Sequence, residues 1–66
     1  MSLDYIRKTY GVPAKRGGRI VYNGDANRPG QKGTIVGARN QYLRIRLDDH
    51  PGVVSSFHPT WEITYL

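Results

Sequence analysis

Residues 41–48 constrain the fold more than any other stretch of the chain. They read QYLRIRLD, in which every second residue is aliphatic: Leu43, Ile45 and Leu47. This is the period of a half-buried β-strand, because successive side chains of a strand point to opposite faces. We expect the aliphatic residues to face a core and the intervening ones to form a wetter surface: Tyr42, Arg44 and Arg46.

The length and composition predict a single small domain over residues 1–66. The chain has no cysteine, so neither a disulfide nor a thiolate metal site supports its small core. No apolar run approaches the roughly 20 residues that cross a bilayer, and Asp4, Arg7 and Lys8 interrupt the N-terminal segment where a signal peptide would be apolar. We expect a soluble, cytoplasmic protein.

The charge is strongly basic. Ten Lys and Arg residues against five Asp and Glu give a formal net charge of +5. Such an excess on a small domain favours a polyanionic partner, above all nucleic acid. The alternative is a charged surface that only keeps the protein soluble.

A short helix is predicted over Leu3–Tyr10. Apolar residues recur there at spacings of three and four: Leu3, Ile6 and Tyr10. Ser2 can cap the start of the helix, and Gly11 followed by Pro13 ends it. Two helical turns are not stable alone in water, so we expect this face to dock on the rest of the domain.

Four further strands are predicted, over residues 19–22, 33–38, 53–57 and 61–65. The first connection, a polar stretch from Asn23 to Lys32, is too long for a tight hairpin. Ile35 should point inward, and Gly33 and Gly37 indicate close backbone approach or a bulge.

The alternation of side chains also predicts which residues of the last two strands share a face. We expect Val53, Ser55 and Phe57 to share one face of the fourth strand. On the last strand, the inward pair is Trp61 and Ile63, with Tyr65 near the rim.

The layout predicts a mainly β fold, a five-stranded SH3-like barrel with a short N-terminal helix. A single 3₁₀ turn at residues 58–60 separates the last two strands, since Pro59 interrupts a strand ladder. His58 is expected to form a hydrogen bond at this break.

Three segments, residues 15–24, 30–36 and 43–48, resemble a KOW motif over about half of the chain. KOW units of ribosomal and transcription-elongation proteins are SH3-like barrels that contact RNA, ribosomal protein or polymerase, so the resemblance implies a binding module. Gly33 and Ile35 take the places of the motif's glycine and following aliphatic residue. Gly18 stands where the motif commonly has an acidic residue, and residues 25–29 are extra.

The flanks, residues 5–18 and 57–66, are similar to small uncharacterised proteins encoded by phages and prophages. Together with the KOW-like centre, this resemblance spans nearly the whole chain. This resemblance implies a phage accessory protein, but it brings no established activity or binding site that could be assigned to this chain.

Basic residues around Tyr42 form the candidate nucleic-acid site. Arginine binds phosphate and stacks on bases, and an exposed tyrosine offers a base an apolar platform. The candidate residues are Lys15, Arg16, Arg19, Arg28, Lys32, Arg39, Tyr42, Arg44 and Arg46. The predicted partner is RNA, ahead of DNA, with a host transcription or translation protein as a possible addition. Alternatively, Arg44 and Arg46 form ordinary surface pairs with nearby acidic residues: Asp48, Asp49 or Glu62.

The main rival function is an SH3-like or tudor-like protein-interaction module, because the chain has five Tyr, one Trp and one Phe. Those aromatics can equally be core: Trp61, Phe57 and Tyr22. A methyl-lysine cage of Tyr22, Tyr42 and Tyr65 is disfavoured, because a basic protein is poorly suited to a basic tail.

The sequence favours a protein without catalysis, metal or cofactor. The chain has the residue types of a hydrolytic triad, but no nucleophile elbow or oxyanion-hole motif accompanies them. These residues are Ser55, Ser56, His50, His58 and Asp48. The side chains of three consecutive residues, 48–50, point in different directions and cannot converge on one metal ion. Residues 30–33 lack the P-loop pattern of a nucleotide-binding site.

Overall fold

The computed structural model describes residues 2–66. Its elements are α1 (Leu3–Tyr10), β1 (Arg19–Tyr22), β2 (Gln31–Arg39), β3 (Tyr42–Leu47), β4 (Ser55–Phe57) and β5 (Ile63–Tyr65). The strands form one antiparallel sheet in the order β4-β3-β2-β1-β5. The predicted mainly β class, with five strands and one short helix, is confirmed.

The alternation along β3 is confirmed as the organiser of the core. Leu43 and Ile45 are fully buried, and Leu47 is partly buried and packs against the same cluster. Ile45 pairs directly with Ile35 of β2, which is 1% exposed. The inner face of the sheet therefore carries the core, and the remaining residues of β3 lie on its outer face.

A bulge interrupts the β2–β3 ladder between Ile35 and Gly37. Val36 is the extra residue on β2. It shifts the pairing of the two strands by one residue, so that the apolar pairs Ile35–Ile45 and Ala38–Leu43 both face inward. At Gly33 a Cβ would lie 2.9 Å from the carbonyl oxygen of Arg46, and only glycine permits that approach. The prediction of close backbone approach or a bulge at these glycines is confirmed, with the close approach at Gly33 and the bulge next to Gly37.

The helix α1 has the predicted bounds and caps. The Ser2 hydroxyl accepts a hydrogen bond from the Tyr5 N–H at 3.3 Å. Gly11 has a left-handed φ of 65°, and its N–H donates to the Arg7 carbonyl at 2.9 Å. Ile6 is fully buried in the core cluster, which confirms that the helix docks its apolar face.

The sheet curls, but strand pairing does not close it. Tyr22 on β1 and Phe57 on β4 have ring centroids 4.7 Å apart, although β2 and β3 lie between these strands in the sheet. Only a strongly curved sheet brings them together around one core. β4 and β5 are nevertheless the two edges of the sheet, so the structure is an open curled sheet.

The prediction that Trp61 faces inward is wrong. The strand β5 begins at Ile63, because Glu62 has a left-handed φ of 56° that interrupts the extended backbone. The interruption breaks the alternation, and Trp61 is 56% exposed. Ile63 packs against the core as expected, and Tyr65, which was expected near the rim, packs against it too.

Residues 58–61 form one hydrogen-bonded turn, at the place where a single 3₁₀ turn was predicted. The Trp61 N–H donates to the His58 carbonyl at 3.3 Å. The His58 Nδ1 also accepts the Thr60 N–H at 3.2 Å, so the predicted hydrogen bond at this break is present.

Strand ends also differ from the predictions. β2 is longer than expected, and β4 is shorter because Val53 belongs to the preceding turn, where its N–H donates to the His50 carbonyl. Val53 lies outside β4 and is 56% exposed, so the prediction that it shares a strand face with Ser55 and Phe57 is wrong.

Replacing Ile45 with alanine should destabilise the domain by about 2–5 kcal/mol, because a fully buried side chain would leave a cavity. The matched control on the same strand is Arg46→Ala, an exposed position where about 0.5 kcal/mol or less is expected. Urea unfolding followed by tryptophan fluorescence measures both. Equal effects at the two positions would contradict the observed register.

Candidate nucleic-acid interface

The sheet's outer face is built by cross-strand pairing, because directly opposed residues of antiparallel strands share a face. Arg46 of β3 lies opposite Thr34 of β2, which lies opposite Arg19 of β1. At the hairpin end, Arg39 lies opposite Tyr42. These pairs bring arginines from three strands onto one surface.

Arg44 occupies the centre of this surface. It lies opposite Gly37 on one side and Ser56 on the other. Its Nη1 donates to the Ser56 hydroxyl at 2.9 Å, which orients the guanidinium without neutralising it. A glycine neighbour leaves open space on the other side of Arg44.

Arg16 fills that space from a loop. The Gly17 N–H donates to the Ile35 carbonyl at 2.7 Å, and the Ile35 N–H donates to the Gly18 carbonyl at 2.9 Å, so the loop is held against β2. The Arg16 Nη1 donates to the carbonyl of Val36, the bulged residue, at 2.7 Å. The bulge therefore provides the acceptor that places Arg16 beside the outer face.

Arg19 forms a two-pronged ion pair with Asp48, at 2.8 and 2.5 Å, and also donates to Thr34 at 2.7 Å. The hydrogen bonds from Arg19, with smaller effects of its charge and that of Lys32, lower the pKa of the Asp48 carboxyl. The same pair raises the pKa of the Arg19 guanidinium. Arg19 is therefore in the predicted place, but Asp48 offsets its charge.

Arg28 forms a separate ion pair, with Asp49. Its Nη2 lies 2.7 Å from the Asp49 carboxylate. The expected alternative, in which Arg44 and Arg46 pair with nearby acidic residues, is not what residues 2–66 show, because Arg19 and Arg28 take the two aspartates instead.

The remaining candidate cations form no ion pair within residues 2–66, although Lys32 lies near enough to Asp48 for its charge to lower the pKa of that carboxyl. Within the described chain, Lys15, Lys32, Arg39 and Arg46 have side chains with no hydrogen bond or ion pair, while Arg16 and Arg44 bond only neutral groups. We define the outer-face cluster by its members: Arg16, Lys32, Arg39, Arg44, Arg46 and Tyr42. The surface is rich in positive charge that a polyanion could neutralise.

Tyr42 is the aromatic member of the cluster, and its ring lies next to a second ring. It is 40% exposed, and its ring lies edge-on to His58 with centroids 6.3 Å apart. His58 in turn meets Tyr10 of the helix edge-on at 5.2 Å. This chain of rings holds Tyr42 at the end of the sheet beside Arg39.

A second aromatic feature is centred on Trp61, which the sequence left open between a core role and an interaction role. The exposed Trp61 lies with its ring centroid 6.2 Å from that of Tyr22, which itself packs on Phe57. Gly24 lies against both rings, since a Cβ there would be 2.5 Å from the indole of Trp61. Only the positive φ of Glu62 exposes this tryptophan, and no residue pattern signals it.

The disfavoured methyl-lysine cage does not form. Tyr22 and Tyr65 lie on the inner face, packed against the core, whereas Tyr42 lies on the outer face. Among residues 2–66, no group of three His, Cys, Asp or Glu side chains could hold a metal ion. In the same span, no helix is both long and apolar enough to cross a membrane.

Comparisons with protein-family models, curated proteins and solved structures found no match to this chain. The functional argument therefore rests on the geometry and charge of its own residues.

Replacing Asp48 with asparagine should destabilise the protein at neutral pH but not in strong acid. The folded pKa of Asp48 lies below its usual value near 3.8, so the ion pair contributes stability above that value and loses it as the pH falls through the folded pKa. Urea midpoints of the two proteins should therefore differ at about pH 7 and converge near pH 2.

The partner variant tests the cause. With Arg19 already changed to alanine, Asp48→Asn should lose most of this pH dependence, because Arg19 is its main source. A midpoint difference that is the same at both pH values would contradict the assignment.

Proposed function

We propose that the protein is a non-enzymatic, KOW-like module that binds nucleic acid through the outer-face cluster. The observation that carries the proposal is that the outer-face cluster combines five cations, none with an ion-paired acidic partner in residues 2–66, with an exposed tyrosine. Guanidinium groups donate to phosphate oxygens in a planar fork, and a tyrosine ring stacks on bases.

The strand order and the curl support an SH3-like barrel as the fold behind this module. The neighbours of the sheet follow chain order from β1 to β4, with β5 added beside β1. The Tyr22–Phe57 contact brings the far strands of the sheet together. With Gly33 and Ile35 in the KOW positions, this supports RNA ahead of DNA as the partner.

Rigid strands position the charges. Arg44 and Arg46 are two residues apart on β3, which separates their Cα atoms by about 7 Å. Because β3 is held by Leu43 and Ile45 in the core, these two arginines are anchored on a backbone that costs little further ordering when a ligand binds. The surface is preorganised for a phosphate chain that runs across it.

Binding of a labelled oligonucleotide should fall steeply with salt. If five cations each neutralise a phosphate, the affinity for a duplex should fall by roughly several hundredfold from about 50 to about 200 mM salt. Removing Arg46 by substitution with alanine should reduce the slope of log affinity against log salt by about one. Fluorescence anisotropy titrations measure both.

Lys8→Ala is the matched control for Arg46→Ala. Lys8 lies on α1 rather than on the sheet and pairs with Asp4, and its loss changes the net charge equally. If the two variants weaken binding equally, the cluster has no special role. If no binding occurs even at low salt, the proposed function is wrong.

Substituting Tyr42 with alanine should weaken binding to a single strand by about 1–3 kcal/mol, the contribution of one stacked base. Tyr42→Phe keeps the ring and should retain most of the affinity. Anisotropy at fixed salt measures the three proteins. Equal losses in the two variants would show that the hydroxyl, rather than the ring, is used.

A second candidate function is protein recognition through the exposed Trp61, whose ring lies beside the partly buried Tyr22. The 56% exposure of Trp61 favours it, since exposed tryptophan is enriched at interfaces. Capture of a defined partner that resists nuclease and moderate salt, and depends on Trp61, would support this candidate. A phage accessory protein acting on a host transcription or translation complex could use both surfaces.

A further inference from the structure

A surface cavity of about 430 Å³ opens beside the outer face. Its lining is of two kinds. The accessible apolar part comes from Pro13, Tyr65 and Leu66, with the buried Ile35 beneath them, and the cationic part from Lys15, Arg19 and Lys32. This volume falls within the roughly 300–1,000 Å³ of small-molecule sites, and such sites combine an apolar lining with a few polar groups.

Backbone hydrogen bonds hold the cavity walls. Gly17 and Gly18 are bonded to Ile35 of β2, and the Leu66 N–H donates to the Arg19 carbonyl at 3.0 Å. Gly17 has a left-handed φ of 82°, which glycine adopts without strain and which turns the chain around the cavity. The cavity is therefore largely formed before any ligand enters.

The charge around the cavity favours an anion. Arg19 is offset by Asp48, but Lys15 and Lys32 have no ion pair within residues 2–66. Lys32 is also a member of the outer-face cluster, so the cavity and that cluster are continuous. A ligand that matches both linings has an apolar body and a negative group attached to it.

We propose that this cavity takes one unpaired nucleotide of the bound strand, with its base against the apolar lining and its phosphate between Lys15 and Lys32. The inference rests on the proposed function and adds a subsite to it. A base inside a duplex is paired and stacked on both faces, so only a single strand or a flipped nucleotide can supply this group. The subsite therefore favours unpaired nucleotides over paired ones.

The test is an NMR titration of the whole protein with adenosine monophosphate, compared with adenosine alone and inorganic phosphate alone at matched ionic strength. The nucleotide should shift the amide signals of Gly17, Gly18 and Leu66, and it should bind more tightly than either fragment. Lys15→Ala should weaken nucleotide binding by about three- to tenfold, as for one charge-assisted contact. Lys8→Ala, the same change on the helix, should not.

The outcomes separate this inference from the proposed function. If an oligonucleotide binds the outer face but the nucleotide leaves the cavity signals unchanged, the subsite is wrong and the proposed function stands. Equal shifts from inorganic phosphate would show a plain anion site and also overturn the inference. If neither the nucleotide nor any oligonucleotide binds, both proposals fail.

Discussion

The cross-strand pair of Ile35 and Ile45 is the contact on which the rest of the structure depends. Both side chains are buried, and they lie opposite each other at the centre of the longest hairpin. A slip of one residue would turn every aliphatic side chain of β3 to the solvent and every arginine to the core. The same pair therefore determines where the core lies and where the positive charge lies.

Much of the fold could be predicted because its signals are local. Ser2 and Gly11 bound the helix through hydrogen bonds within one turn, and the glycines of β2 mark the close approach and the bulge. Trp61 could not be placed in the same way. Its exposure depends on a left-handed Glu62, a conformation that non-glycine residues seldom adopt and that no neighbouring residue announces.

The candidate site was less predictable, because charge counts do not show which charges are neutralised. Arg19 meets Asp48 across 29 positions of the chain, and Arg28 meets Asp49 across 21. Only the register of β1, β2 and β3 brings the first pair together. Arg16 reaches the outer face because the bulge offers it the Val36 carbonyl, a contact that composition cannot reveal.

The proposed binding of a polyanion to the outer-face cluster would also affect stability. Arg16, Arg44 and Arg46 are like charges held on neighbouring segments, and such repulsion opposes a compact state in so small a domain. A bound polyanion removes this repulsion in the folded protein, whereas the unfolded chain spreads the same charges apart and gains less from it. By linkage, a ligand that prefers the folded state raises the free energy of unfolding. A surface that binds phosphates in this way would therefore be at once a cost to the free protein and a source of stability in the complex.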